Sequence, residues 1–497
     1  MHTYSQLITL DIPDYLVIVK NPMDLSTVKS RLLSSQYKNL ESFEADVKLV
    51  FQNAILYNGE DSDIGSIAKQ GMDTFEKRFT SALNGLQSTE DDKTKCTICG
   101  DHRRDEELLQ CSKCTNWVYG ICSLNTDSQK KDKFTCMRCV LNEHGNNLAK
   151  VKDFFGNGVN DIPHCDLSKD IEDGLRKKID CQMKNMVGVE ESTSSLNSSE
   201  VSVRLVGSWV KSISVAPEVR KICPQYPTHI PYRRRTIALF QALEGIDTLV
   251  FLMFVDEYEN KCPLPNRGKV YISFLDSLPF FQPAKSRSGL FQNLVAEYLR
   301  NAGERGFQTA HVWACPPSPV GVAFFRRPDN QGLPPKTKIR EWFWKLLHFS
   351  SGDQKVFSLY EYLQSSDQAS DLKDFFFSQL PYFENDYISS EMENVCKSNE
   401  HSSMESLKQE ILLRLQDEGQ NLIVVPLKNN DQSEKDGSVE EGGNVDCEIF
   451  RSQFHFFSFC EKNNLQFSDL RKAKHSSVSV SRCSYITKTL MQISILC

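Results

Sequence analysis

The sequence predicts a multidomain α+β chain in which a helical bundle, a cysteine-rich metal-binding module and a central α/β domain follow one another. Three observations carry this reading. Residues 1–87 repeat apolar side chains at helical spacing, residues 94–142 hold three short Cys-x2-Cys pairs, and residues 201–475 alternate strand-like apolar runs with helical ones. A chain of 497 residues has room for several cores. No apolar run reaches the length of a membrane span, and the first residues lack the basic end and apolar stretch of a secretory signal, so no membrane partner is expected. The 17 cysteines are therefore expected to be reduced, and their clusters to be metal ligands. A net charge of -7 argues against strong direct binding of nucleic acid through bulk charge.

In the first segment, Asp24 follows Pro22 and Met23 and is placed to cap a helix that begins at Leu25. A second helix, "LESFEADVKLVFQNAILY", gathers Phe43, Val47, Val50, Phe51 and Ala54 on one face; a third carries Ile64, Met72, Phe75, Phe79 and Leu83. Periodicity alone gives an amphipathic bundle. The motifs "IPDY", "VKNPMDLSTVK" and "NAILYN", spread over residues 12–85, resemble a bromodomain, the acetyl-lysine-binding four-helix bundle. The resemblance implies Asn58 as the amide donor to the acetyl carbonyl, Tyr15 as the phenol that holds it through water, and Ile64 as the apolar gatekeeper. Such a site suits a neutral acetamide, because one directed hydrogen bond in an apolar slot rejects a charged amine. Eleven residues precede Ile12 where the family has a first helix, so a truncated bundle is expected.

The cysteines read Cys96-x2-Cys99, Cys111-x2-Cys114, Cys122 and Cys136-x2-Cys139. A short spacing sets two thiolates on one tight turn, which is how tetrahedral zinc is gripped. The pattern resembles a PHD-type finger, whose ligand pairs interleave. The resemblance implies one zinc on Cys111, Cys114, Cys136 and Cys139, and a second on Cys96, Cys99 and Cys122, where Tyr119 stands in the place of the family's histidine and His102 is an alternative donor. Residues 143–200 are expected to be a helical and Ser-rich linker.

Beyond it, "TLVFLMFVDEY", "KVYISFLDSL" and "TAHVWACPP" are the strand-like runs of the α/β domain. Residues 386–404 and 428–444 are expected to be polar insertions, and residues 476–497 a degenerate tail with no convincing period. The stretch from "PYRRRTIALF" to "HVWACPPSP", then "KTKIREWFWKLL", "LPYFENDY" and "LQFSDLRKAK", resembles the lysine acetyltransferase domain of the CREB-binding protein family. The order of bromodomain, PHD-type finger and acetyltransferase is also that family's. The resemblance implies a nuclear coactivator on chromatin that transfers acetyl from acetyl-CoA to lysines of histone tails and transcription factors. The "RRR" run Arg233–Arg235 is expected at the surface of the fold rather than as an import signal.

The reaction sets what the site must supply. A lysine amine of pKa about 10.4 loses its proton at a cost of about 4.6 kcal/mol at neutral pH, and the coenzyme A thiolate must depart. By resemblance, Ser277, Arg287 and Ser288 grip the coenzyme A phosphates and pantetheine, Asp276 stands in the same turn, and Lys338 occupies the place of a second phosphate-binding arginine. Trp313 and Cys315 would line the lysine tunnel. The family's "EWY" tyrosine, the general acid for the departing thiolate, is Phe343 here, and Phe274 and Phe291 replace two further tyrosines. Each change keeps a ring and deletes a hydroxyl. A general acid contributes on the order of 10²- to 10⁴-fold. The apolar "VGVAFF" after "ACPPSP", where the family is acidic, is expected to weaken capture of basic tails. Two readings follow: an acetyltransferase, or a weakened or inactive paralogue that serves as a chromatin-associated binding or decoy protein.

Overall fold

The computed structural model describes the chain apart from residues 1–14, 34–35, 38, 61, 87–94, 101–105, 125–133, 144–157, 163, 186–195, 315–324, 326–334, 352–354, 369–374, 399–402, 419–420, 428–446 and 497. It forms two compact units, residues 1–95 and 96–497.

The first unit holds α1 (Tyr15–Ile18), α2 (Leu25–Leu33), α3 (Leu40–Asn58) and α4 (Asp63–Leu86). Asp24 caps α2 as expected, with one carboxylate oxygen accepting from Thr27 N at 2.8 Å and the other from the Thr27 hydroxyl at 2.8 Å. Asn39 caps α3 in the same manner through Ser42 N. The predicted apolar faces of α3 and α4 meet: Phe43 lies 6.2 Å from both Phe75 and Phe79, and Val47 is buried beneath them. Ile64 departs from that face and is 55% exposed. The Asn53 amide donates to the Asn21 carbonyl at 2.8 Å and ties α3 to the chain before α2.

The second unit begins with the cysteine module, where β1 (Leu108–Gln110) and β2 (Trp117–Tyr119) pair antiparallel and α5 (Met137–Glu143) follows. Next comes α6 (Asp166–Asn185), in the stretch expected to be a linker. It is part of the core: Ile171, Leu175 and Ile179 are buried against the sheet, and Arg176 donates to the Val201 carbonyl. Its many charged residues hid a stripe of only a few apolar ones.

Seven strands form one sheet in the order β3 (Val201–Ser214), β4 (His229–Leu243), β5 (Ile246–Tyr258), β6 (Lys269–Ser277), β7 (Thr309–Trp313), β9 (Leu422–Pro426) and β8 (Phe357–Ser358). Glu244 and Gly245, both at positive φ, make the two-residue turn between β4 and β5. Among the described strands only β6 and β7 run parallel, joined by the crossover helix α8 (Arg287–Glu304), with the short α7 (Pro217–Ile222) packed earlier beside β3 and β4. Both faces of the sheet are covered. On one, Ile237 and Leu239 of β4 face α6, α8 and α9 (Lys336–Ser351); on the other, Ala238 and Phe240 face α14 (Gln453–Lys462) and α15 (Leu470–Leu496). This double cover is why "TLVFLMFV" reads as an unbroken apolar run. A third cluster packs α10 (Leu359–Gln368), α11 (Phe375–Gln379), α12 (Tyr387–Ser398) and α13 (Met404–Glu418) beside β7 and β9.

Three expectations are corrected here. Residues 387–398 of the supposed polar insertion form α12, which buries Ile388, Met392 and Val395 at helical spacing; 428–444 lie outside the described residues. The supposed degenerate tail is the C-terminal part of α15, with Ser476, Ser477, Val480 and Ser481 buried. Arg234 and Arg235 are mostly withdrawn from the surface: Arg234 grips Asp256 with two hydrogen bonds of 2.7 Å, and Arg235 reaches Glu257 at 2.7 Å.

Candidate functional site

Three elements converge around the residues predicted to hold acetyl-CoA. The C-terminal end of β6 carries Asp276 and Ser277, the first turn of α8 carries Arg287 and Ser288, and α9 carries Lys338, Trp342 and Phe343. The Trp342 indole N–H donates to Ser288 Oγ at 2.9 Å, and the Gln292 amide donates to the Trp342 carbonyl at 3.3 Å, so α8 and α9 are locked together at this point. Arg287 donates from Nη1 to the Pro279 carbonyl at 3.0 Å, which anchors its guanidinium beside the chain leaving β6. Lys338 is exposed in the first turn of α9. An 18-residue helix presenting its N-terminus together with an arginine and a hydroxyl is a donor set that fits a diphosphate.

Asp276 is buried, and its carboxylate accepts from the backbone N–H of Ser277 at 2.8 Å and of Phe325 at 3.1 Å. The first contact fixes the carboxylate on its own strand end, and the second ties the chain at 325 to it. Phe343 is 8% exposed and meets the Trp342 ring edge-on at 5.1 Å. Phe291 is packed between Phe251 at 5.0 Å and Phe281 at 5.7 Å; Phe274 leans on Phe254 at 6.3 Å. Trp313 ends β7 with its ring 5.8 Å from Tyr387 of α12, and its Nε1 is buried without an acceptor among the described residues. Such an unspent donor is costly unless a ligand satisfies it. Cys315 lies outside the described residues, as does the "VGVAFF" segment apart from Phe325.

In the first unit Tyr15 meets Tyr57 edge-on at 5.0 Å, and burial followed by the nearby Asp24 carboxylate raises its phenol pKa. Asn58, at the last position of α3, spends one amide hydrogen on the Ala54 carbonyl at 2.8 Å. In the cysteine module the Sγ atoms of Cys111, Cys114, Cys136 and Cys139 all lie within 4.8 Å of one another, with Cys111–Cys139 at 3.9 Å and Cys114–Cys136 at 3.6 Å. A tetrahedral zinc with Zn–S of about 2.3 Å has sulfur edges of about 3.8 Å, so this set fits the ion. The Cys136 backbone N–H donates to Cys111 Sγ at 3.2 Å. Cys96, Cys99 and Cys122 also lie within 4.8 Å of one another, but among the described residues no fourth His, Cys, Asp or Glu joins them. His102 lies outside the described residues.

Sequence reasoning missed Trp342, whose signal was its place in the "EWF" triplet, and Asn53, five residues before Asn58 on the same helix. It also missed Arg471, which pairs with Glu106 and donates to Cys122 Sγ at 3.3 Å; no local pattern could link residues so far apart in the chain.

Comparison with known proteins follows the same division. The model of the KAT3 histone acetyltransferase domain matches residues 191–444, and the bromodomain model matches residues 5–70. Among curated proteins the chain is 30% identical over 316 residues to the probable histone acetyltransferase HAC-like 1 of Oryza sativa subsp. japonica, covering 58% of this chain and 18% of that protein. It is 28% identical over 357 residues to histone acetyltransferase HAC2 of Arabidopsis thaliana, covering 65% and 26% respectively. Protein cbp-1 of Caenorhabditis elegans is 26% identical over 469 residues, covering 79% of this chain and 23% of that protein. The chain thus spans about a fifth to a quarter of the length of these relatives. The KAT3 match takes in half of the chain and the whole of the seven-stranded sheet, so the chain belongs to the KAT3 histone acetyltransferase domain family and carries a bromodomain ahead of it.

Proposed function

We propose that the chain is a lysine acetyltransferase of the transcriptional coactivator type, which transfers acetyl from acetyl-CoA to lysines of histone tails and transcription factors in the nucleus. The observation that carries this is the meeting of Arg287 and Ser288, at the N-terminus of α8, with α9 through the Trp342–Ser288 hydrogen bond. Arg287, Ser277, Ser288 and Lys338 would bind the phosphates and pantetheine, and acetyl-CoA supplies the activated acetyl group. Asp276 acts by holding the chain at 325 against the strand end. The orphaned Trp313 Nε1 is the donor available to orient the acceptor lysine or the acetyl oxygen. On the first unit, Tyr15, Asn58 and Ile64 would hold an acetyl-lysine, and the cysteine module would be a zinc-binding PHD-type finger that docks the chain on chromatin.

Phe343 limits the chemistry. Its ring has no proton to give the leaving thiolate, so turnover rests on positioning and on a proton from water. That same residue favours a second reading: a chromatin-associated binding protein that keeps the cofactor site and turns over little.

Acetyl-CoA turnover on a histone-tail peptide by the purified full chain, beside Phe343→Tyr, separates the two. For a slow enzyme, the native chain turns over measurably and the tyrosine raises kcat by roughly 10²- to 10⁴-fold. If neither protein turns over while both bind coenzyme A in calorimetry, the enzymatic reading falls and the binding protein stands.

A further inference from the structure

The second cysteine cluster departs from the first in what surrounds it. Cys96 and Cys122 are buried and Cys99 is partly so, yet among the described residues no fourth His, Cys, Asp or Glu joins the three sulfurs. Tyr119, at the position where a histidine would complete the set, is fully buried and its backbone N–H donates to Cys96 Sγ at 3.5 Å. Over its ring, 5.8 Å from the centroid, lies the guanidinium of Arg471 from α15. Arg471 is held from two nitrogens by Glu106, and its Nη1 donates to Cys122 Sγ at 3.3 Å. Its Nε is buried with no acceptor among the described residues, so one donor remains unspent beside the sulfurs.

We propose that Cys96, Cys99 and Cys122 hold a zinc ion through three thiolates, with the fourth coordination position left to a small exogenous donor and Arg471 serving as an outer-sphere hydrogen-bond donor to Cys122. Zinc with three protein ligands and an open position is the arrangement of sites that exchange or activate a ligand; structural zinc is closed by four. Charge points the same way. Four thiolates give a zinc centre of charge about -2, whereas three give about -1, and a cation hydrogen-bonded to one sulfur lowers the demand for a further anionic ligand. A hydrogen bond to a coordinated thiolate also weakens its bond to the metal. The chain would therefore carry two zincs of unequal lability, one closed by Cys111, Cys114, Cys136 and Cys139 and one open to an incoming imidazole, thiol or water. This rests on the zinc-binding reading of the module but not on acetyl transfer.

The test counts zinc in the full chain by elemental analysis and follows its release to a colorimetric chelator. The expected result is two zincs, one released at least tenfold faster than the other. Cys122→Ser should remove the fast zinc alone and Cys114→Ser the slow one. Tyr119→His should supply the missing donor and slow the fast phase at least tenfold. Added imidazole should shift the visible spectrum of only one of the two cobalt ions in the Co(II)-substituted protein. His102→Ala should change nothing. Loss of the fast zinc in His102→Ala would overturn the proposal by identifying a fourth protein ligand, and so would equal release rates. A single zinc in the native chain would overturn it too. If that one zinc survives Cys122→Ser, the module still binds metal through its first set; if no zinc is found at all, the zinc-binding reading itself falls.

Discussion

Ser477 sits where helix α15 closes the sheet, and its removal should unfasten the two. Strand β6 is in register with β5 as far as Phe251, opposite Ser277, and the Leu278 N–H still reaches the Val250 carbonyl at 2.8 Å, while the N–H of the buried Leu249 turns to a helix side chain. Ser477 Oγ accepts that N–H at 2.9 Å while donating to the Ala473 carbonyl at 2.7 Å. Ser477→Ala deletes the acceptor from a site where no solvent can replace it. A buried donor left unpaired costs about 1–3 kcal/mol, and the small void adds little, so a loss of about 2 kcal/mol is expected. Ser479, partly exposed and two residues on, makes only a weak back-bond to His475 at 3.3 Å, so Ser479→Ala should stay within about 0.5 kcal/mol. The assay is urea unfolding followed by tryptophan fluorescence. All five tryptophans lie between residues 117 and 344, so the signal reports the second unit alone. Equal midpoints for the two variants would refute the claim that this hydroxyl completes the sheet.

Two buried carboxylates should give the same unit opposite pH responses. Glu257 accepts from Arg235, Arg305 and the Tyr298 hydroxyl, and Glu257→Gln would leave two buried guanidinium groups without their anion, a loss of about 3–5 kcal/mol in the fluorescence assay. Burial alone would raise its pKa, but the two arginines hold it well below the carboxylate range, so its contribution is present above about pH 4.3 and lost as pH falls further. Asp386 goes the other way: burial, only partly offset by the Tyr271 hydrogen bond, pushes it up to about 6, so the folded state holds its proton more tightly than the unfolded chain does. That contribution is full below about pH 3.9 and lost as pH rises through 6, up to about 3 kcal/mol. Asp386→Asn should abolish this slope, and a stability difference from the native chain that stays flat between pH 4 and 7 would rule the reasoning out.

What was legible in the sequence was whatever a local pattern carries. The Asp24 cap, the α3 and α4 faces, the four-cysteine set and the apolar strands all depend on residues close together in the chain. What stayed hidden depends on distant partners. Arg234 reads as surface charge because its partner Asp256 is one strand away. Ser476 and Ser477 of α15 read as part of a polar tail, yet the Ser476 hydroxyl donates to the Gln466 carbonyl and the Ser477 hydroxyl bridges the Ala473 carbonyl and the Leu249 N–H, which lets small polar side chains occupy core positions. Likewise α12 looks polar because its four buried apolar residues, Ile388, Met392, Val395 and Cys396, are outnumbered by seven polar ones. At the candidate site, motif order gave Arg287, Ser288 and Phe343 as expectations, while the Trp342–Ser288 bond that ties α9 to α8 beside them required the fold.

The phenylalanines at 274, 291 and 343 show how packing can be kept at positions where the proposed reaction would call for a hydroxyl. Phe291 is wedged between two rings, Phe343 rests edge-on against Trp342, and Phe274 leans on Phe254, so all three positions are specified by ring volume. Folding reads the ring; proton transfer reads the oxygen. Deleting the oxygen removes no packing and spares the core a polar atom in need of a partner, so folding offers no resistance to tyrosine-to-phenylalanine change. Phe343→Tyr puts the two requirements in opposition. At a position 8% exposed, a hydroxyl with no acceptor costs about 1–3 kcal/mol, whereas one that opens onto the cofactor site costs little and gains a proton route. Unfolding and turnover measured on that one variant therefore read the same atom. A gain in kcat with an unchanged urea midpoint means the oxygen faces the reaction, and a lower midpoint without turnover means the site has closed over it.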